Sequence, residues 1–492
     1  MVAADAKRLI LSHVPLLAAS SAALTTVPLL AASSAAAIHD LPEEVPMQRR
    51  QFLRLAAGTA AASVSTLRRV RAAANDTVNV ALIGCGTRGM HVARLMRQTP
   101  GVRFVAVCDV YDRNAARAKE WTGENCVSYS DFRKVLDRQD VDAVLVATPD
   151  HWHAIPTILA CQAGKDVYVE KPLAHNIREG RAMVEAARRH NRIVQTGTQH
   201  RSAPHYAEAA RIVQSGELGP VRFVRIWNYN NQFPAGFSRK PDSDPPAGLD
   251  WDFYLGPAPT VPFNRSRFLG TFRWFWDYAG GLITDFGTHR FDSLHQVMNV
   301  DAPRAVTAMG NRYELDDGRD TPDILQATYE YPTFILSYEA CNLNAHGAGG
   351  RKPGKRYYRA RGPDDRPHGE AYYGTNGTLI CDRIGFEIYP EMEPGARPAT
   401  GRPEFRSKRQ EAAGEDATAE HAKNFIECVR SRQKPSADVA IGHRSTIVPH
   451  LGNIAYRTGR KIRWDAELEQ ILDDPEATQL LSRQPRKPWD LI

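Results

Sequence analysis

The sequence predicts a two-domain α/β protein. An N-terminal doubly wound parallel sheet is followed by a C-terminal α/β domain with an open, largely antiparallel sheet. Three observations lead to this. The apolar run Val78–Ile83 passes directly into the glycine-rich turn GCGTRG at residues 84–89. Short apolar runs then alternate with helical patterns up to about residue 200, as in βα repeats. Beyond residue 218 the runs alternate apolar and polar residues, which indicates half-exposed antiparallel strands.

The turn after the first strand is the first candidate functional element. Gly84 permits a tight turn, Gly86 lets the backbone approach a pyrophosphate, and Gly89 lets the following helix pack on the strand. Thr87 and Arg88 begin that helix, whose free N–H groups and dipole favour anions. We therefore predict a Rossmann dinucleotide-binding domain here, with a purely structural glycine turn as the alternative.

The carboxylate after the second strand bears on the identity of the dinucleotide. Asp109 ends the apolar run that starts at Val102 and lies 20 residues beyond Gly89, where an acid meets the adenosine ribose hydroxyls. A 2′-phosphate at this position would be repelled, so the sequence favours NAD. Arg88 and Arg113 lie close enough in the sequence to offset that repulsion, so NADP stays open.

A polar loop follows the next predicted strand. Val141–Ala147 is a continuous apolar run, as expected of a central parallel strand buried on both faces. Ligands of open α/β sheets bind at the carboxyl ends of the strands, so we expect the loop to face the cofactor, with capping of the next helix as the alternative. The loop consists of Thr148, Pro149, Asp150, His151, Trp152 and His153.

Two further strand ends carry candidate residues. The strand at residues 166–170 ends in Glu170-Lys171-Pro172, and the strand at residues 192–196 leads to Gln199. A lysine partly desolvated on the floor of a cleft loses affinity for its proton and can serve acid–base chemistry. We expect Glu170, Lys171 and Gln199 to contact the cofactor.

Length and charge limit the function classes. A chain of 492 residues is too long for one ordinary core. The net charge of +7 falls to +3 without residues 1–74, which contain eight Lys/Arg and four Asp/Glu, so nucleic-acid binding is not expected. Seven cysteines without a CxxC pair argue against a cysteine zinc site. We predict domains at residues 75–200 and 201–465, with a leader at 1–74 and a tail at 466–492.

The leader has two parts. Val14–Ala23 and Val27–Ala36 both read VPLLAASSAA, a low-complexity repeat that suits neither a packed helix nor a stable membrane span. Met47 then opens MQRRQFLRLAAGTAAASV, which resembles a twin-arginine export signal. We expect translation to begin at Met47 and the protein to be periplasmic or otherwise exported, and cytoplasmic if the signal is not used. An amphipathic basic helix is the alternative.

The second half contains two candidate regions. Aromatic residues concentrate between residues 251 and 278, where flat rings would suit the faces of sugar rings and Arg273 could bind hydroxyls or a carboxylate. Half or more of these aromatics are expected to be ordinary core. The substrate candidates are Arg273, Trp274, Trp276 and Tyr278, together with Asn228 on an earlier strand.

A polar stripe marks the predicted helix at residues 282–299. Asp285, His289 and Asp292 are spaced i, i+4 and i+7, so they share one helical face. Such a stripe is also typical of a solvated face, and the D-x3-H spacing can be half of a metal site. No second ligand cluster completes such a site, so no metal is expected.

Several motifs in order resemble the glucose–fructose oxidoreductase/inositol dehydrogenase/MocA (Gfo/Idh/MocA) family of oxidoreductases. They are GCGTRG, CDV, ATPDHWHA, VEKPL and GTQHR, and the later GGLITDFGTHRFD and YGTNGTL are similar to its twin-arginine-exported bacterial branch. The resemblance covers about residues 76–465. It implies a C-terminal α/β domain whose sheet face often builds dimers or tetramers, and Lys171, Asp285 and His289 as the catalytic set.

The resemblance also implies a reaction. Hydride would pass between a nicotinamide cofactor and a secondary alcohol of a sugar, sugar acid or cyclitol. His289 would take the hydroxyl proton, Asp285 would orient His289 and hold its charged form, and Lys171 would stabilise the alkoxide. Related glycosidases use tightly bound NAD in a redox-neutral cycle of oxidation, elimination, hydration and reduction, which is the alternative. A non-catalytic binding or sensor protein is a third reading.

Overall fold

The computed structural model describes residues 77–346, 366–395 and 405–490. The repeat and the predicted twin-arginine signal lie outside these residues. Two sheets organise the described part of the chain, one of six strands and one of ten. This confirms the predicted fold class of a doubly wound parallel sheet followed by a domain with a largely antiparallel sheet.

The first sheet is parallel throughout, in the order β3-β2-β1-β4-β5-β6. This is the doubly wound order in which the crevice lies where the strand order reverses, beside β1. The central strands β1 and β4 are almost wholly buried, as the continuous apolar runs predict. The strands are β1 (Val78–Ile83), β2 (Val102–Cys108), β3 (Val127–Tyr129), β4 (Ala143–Val146), β5 (Asp166–Val169) and β6 (Val194–Thr196).

Helices connect these strands and cover the sheet. Two have side-chain caps of the kind that sequence predicts: Asp131 accepts a hydrogen bond from the N–H of Arg133, and Asn176 accepts one from that of Glu179. The first helix has no side-chain cap and begins directly after Gly86. The helices are α1 (Thr87–Met96), α2 (Asp112–Thr122), α3 (Phe132–Leu136), α4 (Ala154–Gln162), α5 (Ile177–Arg189) and α6 (Pro204–Gln214).

The second sheet has the order β14-β13-β12-β11-β7-β10-β9-β8-β15-β16 and is antiparallel except for the parallel pair β7 and β10. The two faces of β7 differ in burial: Val224 and Ile226 are buried in the main core, whereas Phe223, on the other face, is 39% exposed. The strands are β7 (Val221–Tyr229), β8 (Ala305–Asn311), β9 (Ile324–Glu330), β10 (Ile335–Cys341), β11 (His368–Gly374), β12 (Gly377–Asp382), β13 (Gly385–Pro390), β14 (Gln410–Ala413), β15 (Ile462–Asp465) and β16 (Gln470–Leu472).

The second half differs from the sequence expectation in one helix, because the single helix expected at residues 282–299 is divided at Phe286 into two. In the helix at residues 418–431, Phe425 and Ile426 pack in one cluster with Val80 and Leu82 of the first sheet. The helices of the second half are α7 (Trp251–Leu255), α8 (Leu282–Asp285), α9 (Gly287–Met298), α10 (Thr418–Ser431), α11 (Val439–Thr458) and α12 (Pro475–Gln479).

The helix α11, the longest within the described ranges, lies between the first sheet and the second. Val439 belongs to a core cluster of the first sheet, whereas Val448 and Leu451 belong to the main core of the second. It contains 20 residues, including Pro449 and two buried histidines. Among the helices of the described ranges, none combines the length and the apolar character that crossing a bilayer requires.

Candidate active site

A cavity of about 910 Å³ opens at the carboxyl ends of the parallel strands, between the first sheet and segments of the second half. Its volume is near the upper end of the range for ligand sites, which suits a dinucleotide together with a small substrate. From the first half it is lined by Gly84, Gly86, Thr87, Arg88, Asp109, Thr148, Pro149, Asp150, Trp152, His153, Glu170, Lys171 and Gln199, among others. These include nearly all of the residues that the sequence assigned to the cofactor.

The glycine-rich turn has the shape that a pyrophosphate requires. A Cβ on Gly84 would lie 2.6 Å from the Ala147 carbonyl, and one on Gly89 would lie 2.1 Å from the Gly84 oxygen. At Gly86, by contrast, a Cβ would meet nothing within 4 Å, so the backbone there borders open space. The N-terminus of α1 has no side-chain cap, which leaves its N–H groups for an anion. The turn therefore fits NAD, with Gly89 supporting it from behind the cavity.

Asp109 lies at the end of β2, where it lines the cavity. Its Oδ2 accepts a hydrogen bond of 2.8 Å from the N–H of Cys85, and its Oδ1 accepts one of 2.9 Å from that of Tyr111. Burial raises the pKa of this carboxyl, and these backbone donors oppose the rise. The carboxylate is thus held beside the glycine turn, in the position expected for contact with the adenosine ribose.

The two arginines that sequence proximity suggested for NADP have different environments. Arg88 Nε donates a 2.8 Å hydrogen bond to Glu170 Oε1, and its Nη2 donates one of 3.3 Å to Gln199. Glu170 and Gln199 follow β5 and β6, on the opposite side of β1 from Asp109. Arg113 is exposed on α2. A group that sequence reasoning missed, Arg117, lines the cavity and donates to the Cys85 carbonyl at 2.7 Å.

The loop after β4 divides between the cavity and the protein interior. Thr148, Pro149, Asp150, Trp152 and His153 line the cavity. The two ring nitrogens of His153 lie 2.7 Å from the Pro172 carbonyl oxygen and 2.9 Å from that of Thr148. Burial raises the pKa of Asp150 to about 7. These contacts tie the loop after β4 to the start of the segment after β5.

His151 occupies a different place from its neighbours in the loop. It is fully buried, and its Nε2 lies 3.0 Å from the Tyr254 carbonyl oxygen. Its ring is 5.1 Å from that of Tyr278. His151 therefore joins the loop to the second half of the chain, whereas direct contact with a cofactor was the sequence expectation.

Lys171 and Asp285 form the central ion pair of the cavity. Lys171 Nζ donates to Asp285 Oδ1 at 2.6 Å and to the Asp285 backbone oxygen at 2.7 Å. The backbone oxygen is within reach because the helix breaks at Phe286, directly after Asp285. Arg273 Nε lies 3.0 Å from Oδ2 of the same carboxylate. The Asp285 carboxylate is therefore paired with two cations, Lys171 from the end of β5 and Arg273 from the aromatic segment at residues 251–278.

His289 lines the same cavity from the first turn of α9. It is 4% exposed, and its Nδ1 is buried with no hydrogen-bond partner in the described ranges. Burial lowers its pKa well below the usual value, and the positive charge of Lys171 lowers it further. We expected Asp285 to hold the charged form of His289. The structure instead directs the Asp285 carboxylate towards Lys171 and Arg273, and the imidazole environment favours the neutral form.

The substrate candidates separate into two groups. Arg273 and Trp274 line the cavity, and Trp274 is supported from behind by Arg319, whose guanidinium carbon is 4.7 Å from the indole centre. The other three lie elsewhere. Trp276 packs near Tyr456 and Arg457, Tyr278 is fully buried, and Asn228, within β7 of the second sheet, is 2% exposed. The positions of these three residues do not support the expected contact with substrate.

From the second half of the chain, four polar residues that sequence reasoning missed also line the cavity: Asn230, Gln232, Arg383 and Asp416. Asn230 is two residues after Asn228 and therefore on the same face, but it lies beyond the end of β7, where the chain reaches the cavity. Its place just after a strand end could have identified it from the sequence. Arg383 and Asp416 follow β12 and β14, far along the chain, and no local pattern could have placed them here.

The aspartate one turn along α9 has a separate environment. Asp292 was expected to share a face with Asp285 and His289. It is fully buried, accepts a 2.9 Å hydrogen bond from Arg201 Nε and one of 2.6 Å from Ser445 Oγ. These partners belong to the segment after β6 and to α11, so Asp292 serves the junction of α9 with those elements.

Two protein-family models match the chain. The model described as "Oxidoreductase family, NAD-binding Rossmann fold" matches residues 78–198. The model described as "Oxidoreductase family, C-terminal alpha/beta domain" matches residues 184–342 and 402–491. Together they cover the whole first sheet and seven of the ten strands of the second, whereas β11, β12 and β13 lie in the unmatched residues 343–401.

Curated relatives align mainly with part of the chain. The chain is 27% identical over 220 residues to an uncharacterized oxidoreductase, YrbE, of Bacillus subtilis, covering 44% of this chain and 52% of the relative. It is 35% identical over 166 residues to inositol 2-dehydrogenase 4 of Saccharopolyspora erythraea, covering 33% and 49%. It is 33% identical over 162 residues to scyllo-inositol 2-dehydrogenase (NAD(+)) of B. subtilis, covering 32% and 47%. The chain thus spans about half the length of these relatives.

Solved structures share the fold over a longer stretch. An aldose-aldose oxidoreductase from Caulobacter crescentus has a TM-score of 0.58 at 18% identity, covering 79% of this chain and 99% of that one. A levoglucosan dehydrogenase bound to NADH and levoglucosan has a TM-score of 0.57 at 19% identity, with the same coverage. At such identities the likeness shows the fold. Taken with the family matches, it means that this chain belongs to the Gfo/Idh/MocA oxidoreductase family and that its first domain is an NAD-binding Rossmann domain.

Proposed function

We propose that the protein transfers hydride reversibly between NAD and a secondary alcohol of a sugar, sugar acid or cyclitol. The observation that carries this is the meeting of Lys171, Asp285 and His289 in one cavity with the dinucleotide-binding turn. Lys171 comes from the end of β5, on the side of the sheet opposite Asp109, where the nicotinamide end of the dinucleotide is expected. The inositol dehydrogenases among the relatives support an alcohol of this class.

The three residues have separate tasks in this proposal. Bound NAD supplies the hydride acceptor. His289, neutral because of its burial, accepts the proton of the substrate hydroxyl. The Lys171 ammonium stabilises the negative charge that develops on the substrate oxygen, and it is held in place by both Asp285 oxygens that it contacts. In this scheme Asp285 holds Lys171 and Arg273 in place, whereas the sequence analysis expected it to orient His289.

A substrate panel tests the proposal. Purified protein is incubated with NAD and a series of cyclitols, aldoses and sugar acids, and NADH formation is followed by absorbance. In parallel, chromogenic glycosides are supplied without added NAD. We expect NADH from at least one alcohol. Release of the aglycone without any net NADH formation would instead favour the redox-neutral glycosidase and reject simple dehydrogenation.

Catalytic variants separate chemistry from cofactor binding. Lys171→Ala and His289→Ala should each lower turnover by orders of magnitude while NAD still binds, because both residues lie at the substrate end. Mass spectrometry of the nucleotide released from the purified protein identifies the cofactor and shows whether it is retained. Unchanged turnover in both variants would remove the assignment.

We further propose export by the twin-arginine route. The support is the sequence MQRRQFLRLAAG from Met47, with small residues at 72–74 that suit cleavage. This route carries folded proteins, which is compatible with a protein that takes up its dinucleotide before export. N-terminal sequencing of the mature protein should find a start near residue 75, and Arg49→Lys/Arg50→Lys should retain the protein in the cytoplasm. A mature chain that begins before residue 47 would contradict the proposal.

We also propose a homodimer or homotetramer formed through the second sheet. Three neighbouring strands expose Phe223, Ile335 and Tyr373, which are 39%, 42% and 37% exposed. Phe223 is paired in register with both others, and its ring stacks on that of Tyr373 at 5.3 Å. Light scattering should give a mass of two or four chains, and Phe223→Glu should reduce it. A monomer at micromolar concentration would contradict this.

A further inference from the structure

The segment that follows α12 is bound closely to the rest of the molecule. Arg483 Nη2 donates a 2.8 Å hydrogen bond to the His151 carbonyl, and its Nε donates one of 2.8 Å to Glu179. Arg486 Nε donates to the Gly256 carbonyl at 2.9 Å, and its Nη2 donates to the Asp252 carbonyl at 2.8 Å. Two arginines therefore attach this segment both to the loop after β4 and to α7.

These attachments place the indole of Trp489 in an aromatic cluster. Trp489 is 3% exposed, and its ring stacks on that of Phe253 with centroids 5.4 Å apart and an interplanar angle of 11°. It meets Trp152 edge to face at 4.8 Å. The guanidinium carbon of Arg133 lies 5.5 Å from its centre. Trp489 itself is not among the cavity-lining residues, so it contacts the cavity wall from behind.

The rings that Trp489 contacts belong to the wall of the cavity. Phe253 and Trp152 both line it, as does Phe132, whose ring is 5.8 Å from that of Trp152. Phe132 begins α3 just after β3, and β3 lies beside β2, which ends at Asp109. Because the acid after β2 marks the adenosine ribose, this aromatic wall lies on the adenosine side. Lys171 follows β5 on the other side of the sheet.

The wall depends on support because its parts come from distant segments. Trp152 rests on the backbone of Gly256, where a Cβ would lie 2.1 Å from the indole. Its Nε1 donates a 2.9 Å hydrogen bond to the Tyr254 carbonyl. The Gly256 carbonyl is in turn the acceptor for Arg486. The Trp489 ring stacks on Phe253 and meets Trp152 edge to face, so removing that indole would leave a void beside both rings of the wall.

We propose that Trp489 is a positioning residue for the dinucleotide: by bracing Phe253 and Trp152 it shapes the adenosine side of the site and slows release of the cofactor. The proposal rests on NAD binding and does not depend on the substrate or on the catalytic roles of Lys171 and His289. It gives a function to the tail at residues 466–492, to which the sequence assigned none.

The test measures release of NADH from the intact protein. Trp489→Ala removes the ring, Trp489→Leu keeps most of the apolar volume without a ring, and Trp489→Phe keeps a ring that can stack on Phe253. Trp464→Ala is the matched control, because Trp464 is also buried, at 4% exposed, but belongs to the core of the second sheet. Release of bound NADH is followed by stopped flow through energy transfer from tryptophan to NADH, with NAD in excess as the competitor.

We expect Trp489→Ala and Trp489→Leu to release NADH at least about tenfold faster than the wild type, and Trp489→Phe within about twofold. Trp464→Ala should lower the melting temperature without accelerating release. If Trp489→Ala does not fold, Trp489→Leu decides the outcome. Release from Trp489→Leu within about twofold of the wild type, or equal acceleration by Trp464→Ala, would overturn the proposal. Because no substrate is needed, failure of the proposed reaction would leave this result unaffected.

Discussion

Asp285→Asn is the substitution that most directly tests the ion-pair arrangement. Asparagine keeps the shape of the side chain and the backbone oxygen that Lys171 contacts at 2.7 Å, but it removes the charge shared by Lys171 and Arg273. Two cations would then face each other without the carboxylate between them. The Lys171 ammonium should move away from its position beside residue 285, and the stabilisation of the substrate oxygen should be lost.

The magnitude follows from burial and from the transition-state role. Removing one partner of a buried ion pair costs about 3–5 kcal/mol, but the Lys171 and Arg273 side chains are 15% and 32% exposed, so solvent screening reduces the loss of unfolding free energy to about 2 kcal/mol. Losing one electrostatic contact to a developing oxyanion costs about 100-fold to 1000-fold in kcat, or about 2.7–4 kcal/mol. The Kd for NAD should change less than about threefold, because Asp285 lies at the substrate end.

The assay uses the best substrate from the panel, with kcat, the Kd for NAD and urea unfolding measured on the same preparation. Asp292→Asn is the control, since Asp292 is fully buried and paired with Arg201 but lies outside the cavity lining. We expect that control to lose at least as much unfolding free energy while keeping kcat within about threefold. If Asp285→Asn kept kcat within about tenfold, or if Asp292→Asn lowered it equally, the proposed role of the pair would be refuted.

Three further predictions concern the cofactor and pH. Gly89→Ala should weaken NAD binding at least about tenfold, because the added Cβ would lie 2.1 Å from the Gly84 oxygen and displace the turn. Calorimetry measures this affinity, and an unchanged Kd would contradict the assignment of the turn to the pyrophosphate. Asp109→Ala should weaken NAD binding by about 1–3 kcal/mol and NADP binding less, and an unchanged ratio of the two Kd values would contradict its ribose role.

Acid should destabilise the fold. Burial lowers the pKa of His151 to about 3 and that of His450 to about 4. As the pH falls below about 6.5, these histidines become protonated in the unfolded chain before they do in the folded one. Each buried histidine therefore lowers the free energy of unfolding by up to about 1.4 kcal/mol per pH unit below that value. Asp150 and Glu370, each with a pKa of about 7, oppose this because the folded state holds their protons between about pH 4 and 7. Other buried histidines reinforce the first effect, so urea unfolding should give a lower free energy at pH 5 than at pH 7, and an equal or higher value would contradict the argument.

Local patterns in the sequence were sufficient for the strands and for the cofactor turn. The apolar runs at Val78–Ile83 and Val102–Cys108 and the glycines between them predict a βαβ unit, because strand burial and tight turns depend on a few neighbouring residues. Lys171 could be placed at the cavity for the same reason: a residue directly after a buried parallel strand lies at the ligand-binding edge. The cofactor half of the site was therefore largely predictable.

Contacts between segments far apart in the chain were not predictable in this way. The i, i+4 spacing put Asp285 and His289 on one helical face, and the family resemblance assigned Asp285 to His289. The break at Phe286 and the approach of Lys171, 114 residues away, give the carboxylate other partners. Trp489 likewise reaches the cavity wall only because Arg483 and Arg486 bind its segment to α7 and to the loop after β4. Periodicity specifies which face of an element is apolar, whereas the partner of a charged or aromatic side chain is set by packing between elements. The substrate half of the site and the wall behind the dinucleotide site depend on such packing, so only the tertiary structure shows them.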